Sequence, residues 1–163
     1  MNQIKNKWTL NALEPFFYII SKEQYENNKI NCNNVLCKKS QIVPDQLGVF
    51  SKNAIKKGEC VEWGIASYVP NIDVRNTDHL FSWSTTDRSI AATVSGCGLF
   101  YNTLGDKSNC RCVPYHDEMR FEIYALEDIP KDTELTFRYD SMNYREGMKD
   151  LIPIVGELKD GDR

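Results

Sequence analysis

Residues 119–141 read MRFEIYALEDIPKDTELTFRYDS. The first part alternates, with Phe121, Ile123 and Ala125 on one face, which predicts a strand. Pro130-Lys131-Asp132-Thr133 predicts a turn, and ELTFRYD a second strand that carries Tyr139 near its end. Working outward, the same grammar of short runs broken by turn residues recurs. VLCKKSQI (35–42) runs to Pro44-Asp45, and LGVFSKNAI (47–55) to the Lys57-Gly58 turn. CVEWGIASYV (60–69) stops at Pro70-Asn71, and HLFSWS (79–84) and SIAATVS (89–95) follow. In SGCGLFYN (95–102), Gly96 and Gly98 mark a sharp bend or a close approach of backbone. EPFFYII (14–20) opens the chain with an aromatic strand-like run, and Lys22 to Asn28 predicts a helical turn or two. SMNYREGMKDLI (141–152) predicts a C-terminal helix from Met142, Arg145, Met148 and Lys149, before a polar tail. Many short strands and few short helices predict a mainly β fold of small curved sheets.

The chain has 163 residues and a mass of 18.8 kDa, which suits one domain with its own core. Apolar residues at 41% and charged residues at 26% exclude a disordered composition. A net charge of -3 argues against a dedicated nucleic-acid binder, whose phosphate affinity needs clustered Lys and Arg, and suits a basic partner better. The longest apolar run, Phe16 to Ile20, is too short to cross a membrane, and the N-terminus lacks the apolar core of a secretory signal. An intracellular protein, in cytoplasm or nucleus, or in a host cell if viral, with no membrane partner is expected. Six cysteines without a CxxC pair predict reduced, mostly buried thiols. With two histidines, a His-rich metal site is not expected.

Three stretches carry a resemblance. LGVFSKNAIKKGECV (47–61) resembles the opening of a SET domain. LFYNTLGDKSNC (99–110) is similar to that family's Arg-Phe-x-Asn-His-Ser-Cys-x-Pro-Asn-Cys signature. FEIYALEDIPKDTELTFRYDS resembles its closing element, and the three stand in the family's order and spacing. The compact form resembles small SET proteins of viruses, bacteria and unicellular eukaryotes. The resemblance spans about Val35 to Tyr144. It implies three parts: an N-terminal extension (1–34) packing on the domain, a SET domain (35–145), and a short helix and tail (146–163). It also implies that the C-terminal strand region threads, pseudoknot-like, beneath a loop carrying Asn102. The sequence departs from the family at Gln46 (for Gly), Leu99 (for Arg), Thr103 (for His), Ser108 (for Pro) and Asp132 (for Gly). No cysteine follows Tyr139, so the post-SET zinc cluster of larger members is not expected and no metal is assigned.

The activity implied is methyl transfer from S-adenosyl-L-methionine to a lysine ε-amine in a protein, with a basic, lysine-containing segment such as a histone tail as substrate. A lysine titrates near 10.4 in water, so such a site must shed a proton and align the amine. A narrow apolar channel does both, through desolvation and confinement. By resemblance, Tyr139 is the catalytic residue, its hydroxyl beside the sulfonium and the target nitrogen. Leu47, Gly48, Val49, Phe100, Asn102, Thr103 and Tyr139 bind the cofactor, and Phe137, Trp83, Phe81 and Tyr144 line the channel. Glu59, Glu62, Asp140 and Glu146 are acidic groups that would favour a basic peptide, or else solvated strand ends. The competing reading is a catalytically inactive SET-fold module that binds a protein or peptide. Either a monomer or a homodimer fits.

Overall fold

A computed structural model describes residues 20–73, 77–87 and 89–139. The predicted runs at 14–19 and 141–152 lie outside them. Eight strands form two sheets: β1 (Val35–Lys39), β2 (Leu47–Ser51), β3 (Cys60–Val69), β4 (Phe81–Ser82), β5 (Ala91–Val94), β6 (Cys110–Tyr115), β7 (Arg120–Ala125) and β8 (Glu134–Leu135). The smaller sheet has the order β1-β2-β8 and the larger β4-β5-β3-β7-β6. All these strand pairs are antiparallel. The fold is mainly β; among the described residues the helices are one short α-helix, α1 (Lys22–Asn27), and three single-turn 3-10 helices. Ser21 caps α1 and forms a reciprocal capping box with Gln24.

The predicted β3 matches its observed span. Pro70 follows it, and Asn71 beyond adopts a left-handed φ of 56°. Phe121, Ile123 and Ala125 are fully buried, as the alternation of β7 requires. Glu122 and Tyr124 are buried as well, because the second face is also covered. There the Glu122 carboxylate accepts from the Tyr115 and Tyr124 hydroxyls and pairs with Arg120. The Arg120 guanidinium in turn lies over the rings of Tyr115 and Tyr25 of α1. Asn31 bridges to Trp63, whose indole N–H donates to the Asn28 carbonyl. The described part of the N-terminal segment thus packs on the larger sheet.

Two elements differ from the sequence pattern. β6 contains Pro114, which breaks a strand signal, yet β6 pairs along its length with β7 at the edge of the sheet, where a missing N–H is tolerated. ELTFRYD forms a ladder only at Glu134–Leu135. Thr136 and Phe137 then make isolated parallel bridges to Asn102 and Cys110. The Phe137 N–H donates to the Asn102 carbonyl and the Cys110 N–H to the Thr136 carbonyl. The closing segment therefore runs inside the loop between Asn102 and Cys110, which is the threading that the resemblance implied.

The six cysteines are free thiols, but Cys110 alone is fully buried; Cys37 is exposed and the other four are partly covered. The expectation of mostly buried thiols is corrected accordingly: Cys37 sits on outer strand β1, where one side of the ribbon meets solvent. Among the described residues no helix is long and apolar enough to cross a membrane.

Candidate functional site

The site grows from the point where β2, the Asn102 loop and the closing segment meet. β2 pairs with β8 only at Val49 and Phe50. Beside Leu47 and Gly48, the Asn102 side chain takes the place of a strand. Its amide donates to the Leu47 carbonyl (3.1 Å), to Glu134 Oε1 (2.9 Å) and to Ser40 Oγ (3.1 Å). Ser40 Oγ donates to Glu134 Oε1, and the Gln41 N–H to Glu134 Oε2. Glu134, a buried carboxylate, thus joins β8 to the loop before β2 and to Asn102.

Thr103 is 1% exposed, and its hydroxyl accepts from the Gly105 N–H, closing the turn after Asn102. Asn109 holds the other end of the loop. Its side chain donates to the Glu134 carbonyl and accepts from the Thr136 N–H, as a strand neighbour would. Asp132 keeps a left-handed φ of 61° where the family pattern has glycine, a conformation Asp accepts more readily than most residues.

Beyond Thr136 the aromatic residues converge. The Phe137 ring lies 5.5 Å from Tyr101, 5.6 Å from Tyr139 and 6.0 Å from Phe81, centroid to centroid. Phe81 meets Trp83 edge-on at 6.2 Å, and Trp83 meets His116 at 5.4 Å. Trp83 and Phe137 are buried, whereas Phe81 and Tyr139 reach the surface in part. The Tyr139 hydroxyl donates to the Tyr101 carbonyl. Phe100, half-buried in the 3-10 turn Gly98–Phe100, stands 5.4 Å from the His79 ring. Leu47 is exposed at 47%, while Gly48 and Val49 are buried.

Leu47, Gly48, Asn102, Phe137 and Tyr139 are therefore linked by direct contacts, and Phe81 and Trp83 join the same aromatic cluster. Tyr144, Asp140 and Glu146 lie outside the described residues. Glu62 is not a solvated strand end. A register shift between Cys60 and Glu62 turns its side chain inward, and it is 0% exposed. Burial pushes its carboxyl up to about 7.

Three residues of this region escaped the sequence reading, Glu134, Tyr101 and Ser40, and Glu62 figured there only as an acidic group or a solvated strand end. Tyr101 is 1% exposed, and burial holds its phenol well above the usual range. Its position inside LFYN was the one available signal. Among the described residues no group of three or more His, Cys, Asp or Glu is disposed to hold a metal ion.

A cofactor with a sulfonium centre suits this donor set. Aromatic faces attract a soft cation, and hydroxyl and carbonyl oxygens such as those of Tyr139 and Tyr101 accept polarised C–H groups.

Known structures share this fold. A candidate histone methyltransferase of Plasmodium falciparum superposes with a TM-score of 0.50 at 26% identity, covering 64% of this chain and 96% of that one. ATXR5 in complex with mono-methylated histone H3.1 superposes at 0.53 with 18% identity, covering 78% and 69%. The ATXR5 SET domain with di-methylated histone H3 gives 0.53 and 18%, covering 78% and 70%. At that identity the ATXR5 likeness speaks for the fold. No curated protein sequence gives a significant match. The SET domain profile matches residues 46–140, more than half of the chain and the stretch that carries Leu47, Asn102, Glu134 and Phe137. The chain belongs to the SET domain family.

Proposed function

We propose that this protein transfers a methyl group to a lysine ε-amine of a protein, with S-adenosyl-L-methionine as the donor. The observation that carries the reading is the meeting of Tyr139 with Phe137 and the Tyr101 carbonyl, with Phe81 and the Tyr101 ring also against Phe137, where the closing segment leaves the Asn102 loop. S-adenosyl-L-methionine supplies an activated methyl on a cationic sulfur. Leu47, Gly48, Val49, Phe100, Asn102 and Thr103 would hold it, Leu47 and Thr103 through main-chain groups. The Asn102 amide is committed within the protein, so its part is to fix the loop that presents its neighbours.

Phe137, Phe81 and Trp83 exclude water around the target amine, which lowers its affinity for a proton. The Tyr139 hydroxyl, steadied on the Tyr101 carbonyl, orients the neutral nitrogen. The net charge of -3 favours a basic segment, and a histone tail has the right chemistry. We assign residues 35–145 to the SET domain, 1–34 to an extension on it, and 146–163 to a helix and tail.

The test is incubation of the protein with labelled S-adenosyl-L-methionine and a panel of basic proteins that includes core histones. Label on lysine is the expected result. A thermal shift with the cofactor separates the inactive-module reading, since a ligand bound by the folded state alone raises the melting temperature. No shift and no transfer would leave the binding module in its place.

A further inference from the structure

We propose that Tyr101 is the positioning residue of this site, fastened by Glu62 and setting the place of the Tyr139 hydroxyl. The proposal rests on the methyl-transfer reading for its importance but not for its geometry.

Tyr101 touches the site in two ways through one Cα. Its main-chain carbonyl accepts from Tyr139, and its ring backs Phe137 at 5.5 Å. A buried phenol needs a partner, and here the partner is the Glu62 carboxylate, 2.8 Å from the hydroxyl. A shift of the ring moves the carbonyl, and with it the atom that holds Tyr139.

The seat for Glu62 is built from several independent features. Gly96 has a φ of 67°, and a Cβ there would stand 2.3 Å from Glu62 Oε1, so the absent side chain makes room for the carboxylate. The Cys97 N–H donates to the same oxygen at 2.6 Å. The carboxylate thus grips residues 97 and 101 of the segment leading to Asn102, while Glu134 grips Asn102 itself. The titratable groups around Glu62 are the Tyr101 phenol and the thiols of Cys97, of Cys37 on β1 and of Cys32, which lies beside Gly96; the first three are shifted toward their neutral forms. Ionised Glu62 accepts from both donors. Protonation turns one oxygen into a donor and loosens the grip.

The experiment uses the full chain without cofactor, with tyrosine labelled with carbon-13 at Cζ, and follows the Tyr139 resonance, assigned by its loss in Tyr139→Phe. In the wild type this resonance should move with a midpoint near pH 7 as Glu62 titrates. It should be displaced in Tyr101→Phe, and Glu62→Gln should abolish the titration. A Tyr139 resonance that is constant from about pH 5 to about pH 9 and unmoved in both variants would overturn the proposal; the wild-type titration needs no variant to fold. With turnover established, Tyr101→Phe should lower kcat about 10- to 100-fold with little change in the cofactor KM. If the resonance moves as expected but the wild type transfers no methyl group, the methyl-transfer reading falls and the positioning role stands.

Discussion

Glu134 occupies the space that a side chain at Gly48 would need: a Cβ on Gly48 would stand 2.2 Å from Glu134 Oε1 and 2.8 Å from its Cδ. The glycine of β2 is thus read by a carboxylate from the far end of the sequence. Because Glu134 is held by Ser40, Gln41 and Asn102, it cannot step aside without breaking those bonds.

Gly48→Ala should therefore destabilise the fold by about 1–3 kcal/mol through overpacking. In a Glu134→Ser background the same substitution should cost much less. Urea denaturation of the four proteins in this cycle measures the coupling, and additive costs would show that the close approach carries no energy.

Asn102→Ala removes a buried amide that serves three acceptors. The expected loss is about 1–3 kcal/mol of stability, because the Glu134 carboxylate and the Leu47 carbonyl lose a donor. The same variant should bind S-adenosyl-L-methionine more weakly, since the loop it fixes is part of the proposed site. Calorimetry at a temperature where the variant is folded reads that second effect, and unchanged affinity would remove Asn102 from the site.

Tyr139→Phe deletes one hydroxyl from a ring that stays packed on Phe137. The fold and cofactor binding should survive, with turnover lowered about 30- to 1000-fold. Phe137→Tyr adds a hydroxyl among Phe81, Tyr101 and Tyr139. It should spare the first methyl transfer and suppress later ones, because the added polar group takes space that a methylated amine needs to turn. Mass spectrometry of the product peptide decides between these outcomes and an unchanged product.

Glu62 makes stability depend on pH in a defined direction. Its folded carboxyl lies at about 7, against an ordinary 4.5. Between those values the folded chain keeps a proton that the unfolded chain has released. This group's contribution is thus most favourable below about pH 4.5, declines as pH rises toward 7, and is level above it. The decline should amount to roughly 3 kcal/mol, and Glu62→Gln should remove it. Urea midpoints across that range provide the measurement.

The parts of this fold legible in sequence are those set by local pattern. β3 could be bounded because Gly58 and Pro70 punctuate an apolar run, and the core face of β7 because Phe121, Ile123 and Ala125 alternate. The aromatic cluster was approached through a family resemblance in which Phe137 and Tyr139 hold fixed places. What stayed hidden depends on neighbours remote in sequence. Glu62 turns inward at a register shift that no periodicity announces. Pro114 masks β6, whose ladder partner, β7, lies on one side. ELTFRYD has the pattern of a full strand, but past Leu135 its partners are a loop in parallel register. Glu134 reads as an ordinary charged residue until Ser40 and Asn102 are brought to it.

The threading of the closing segment also dictates an order of assembly. The strands of the larger sheet all lie between Phe81 or Cys60 and Ala125, so that sheet can be completed while the rest of the chain is still being synthesised. The smaller sheet waits for β8, whose Glu134 must reach Ser40 across a separation of 94 residues. Such distant closures are slow, since chain entropy is lost before any contact repays it. A nascent chain that ends near residue 130 would hold most of its hydrophobic core but would lack Phe137 and Tyr139, about which the site's aromatic residues gather. The aromatic cluster around Phe137 is therefore complete only once the closing segment has taken its place in the loop.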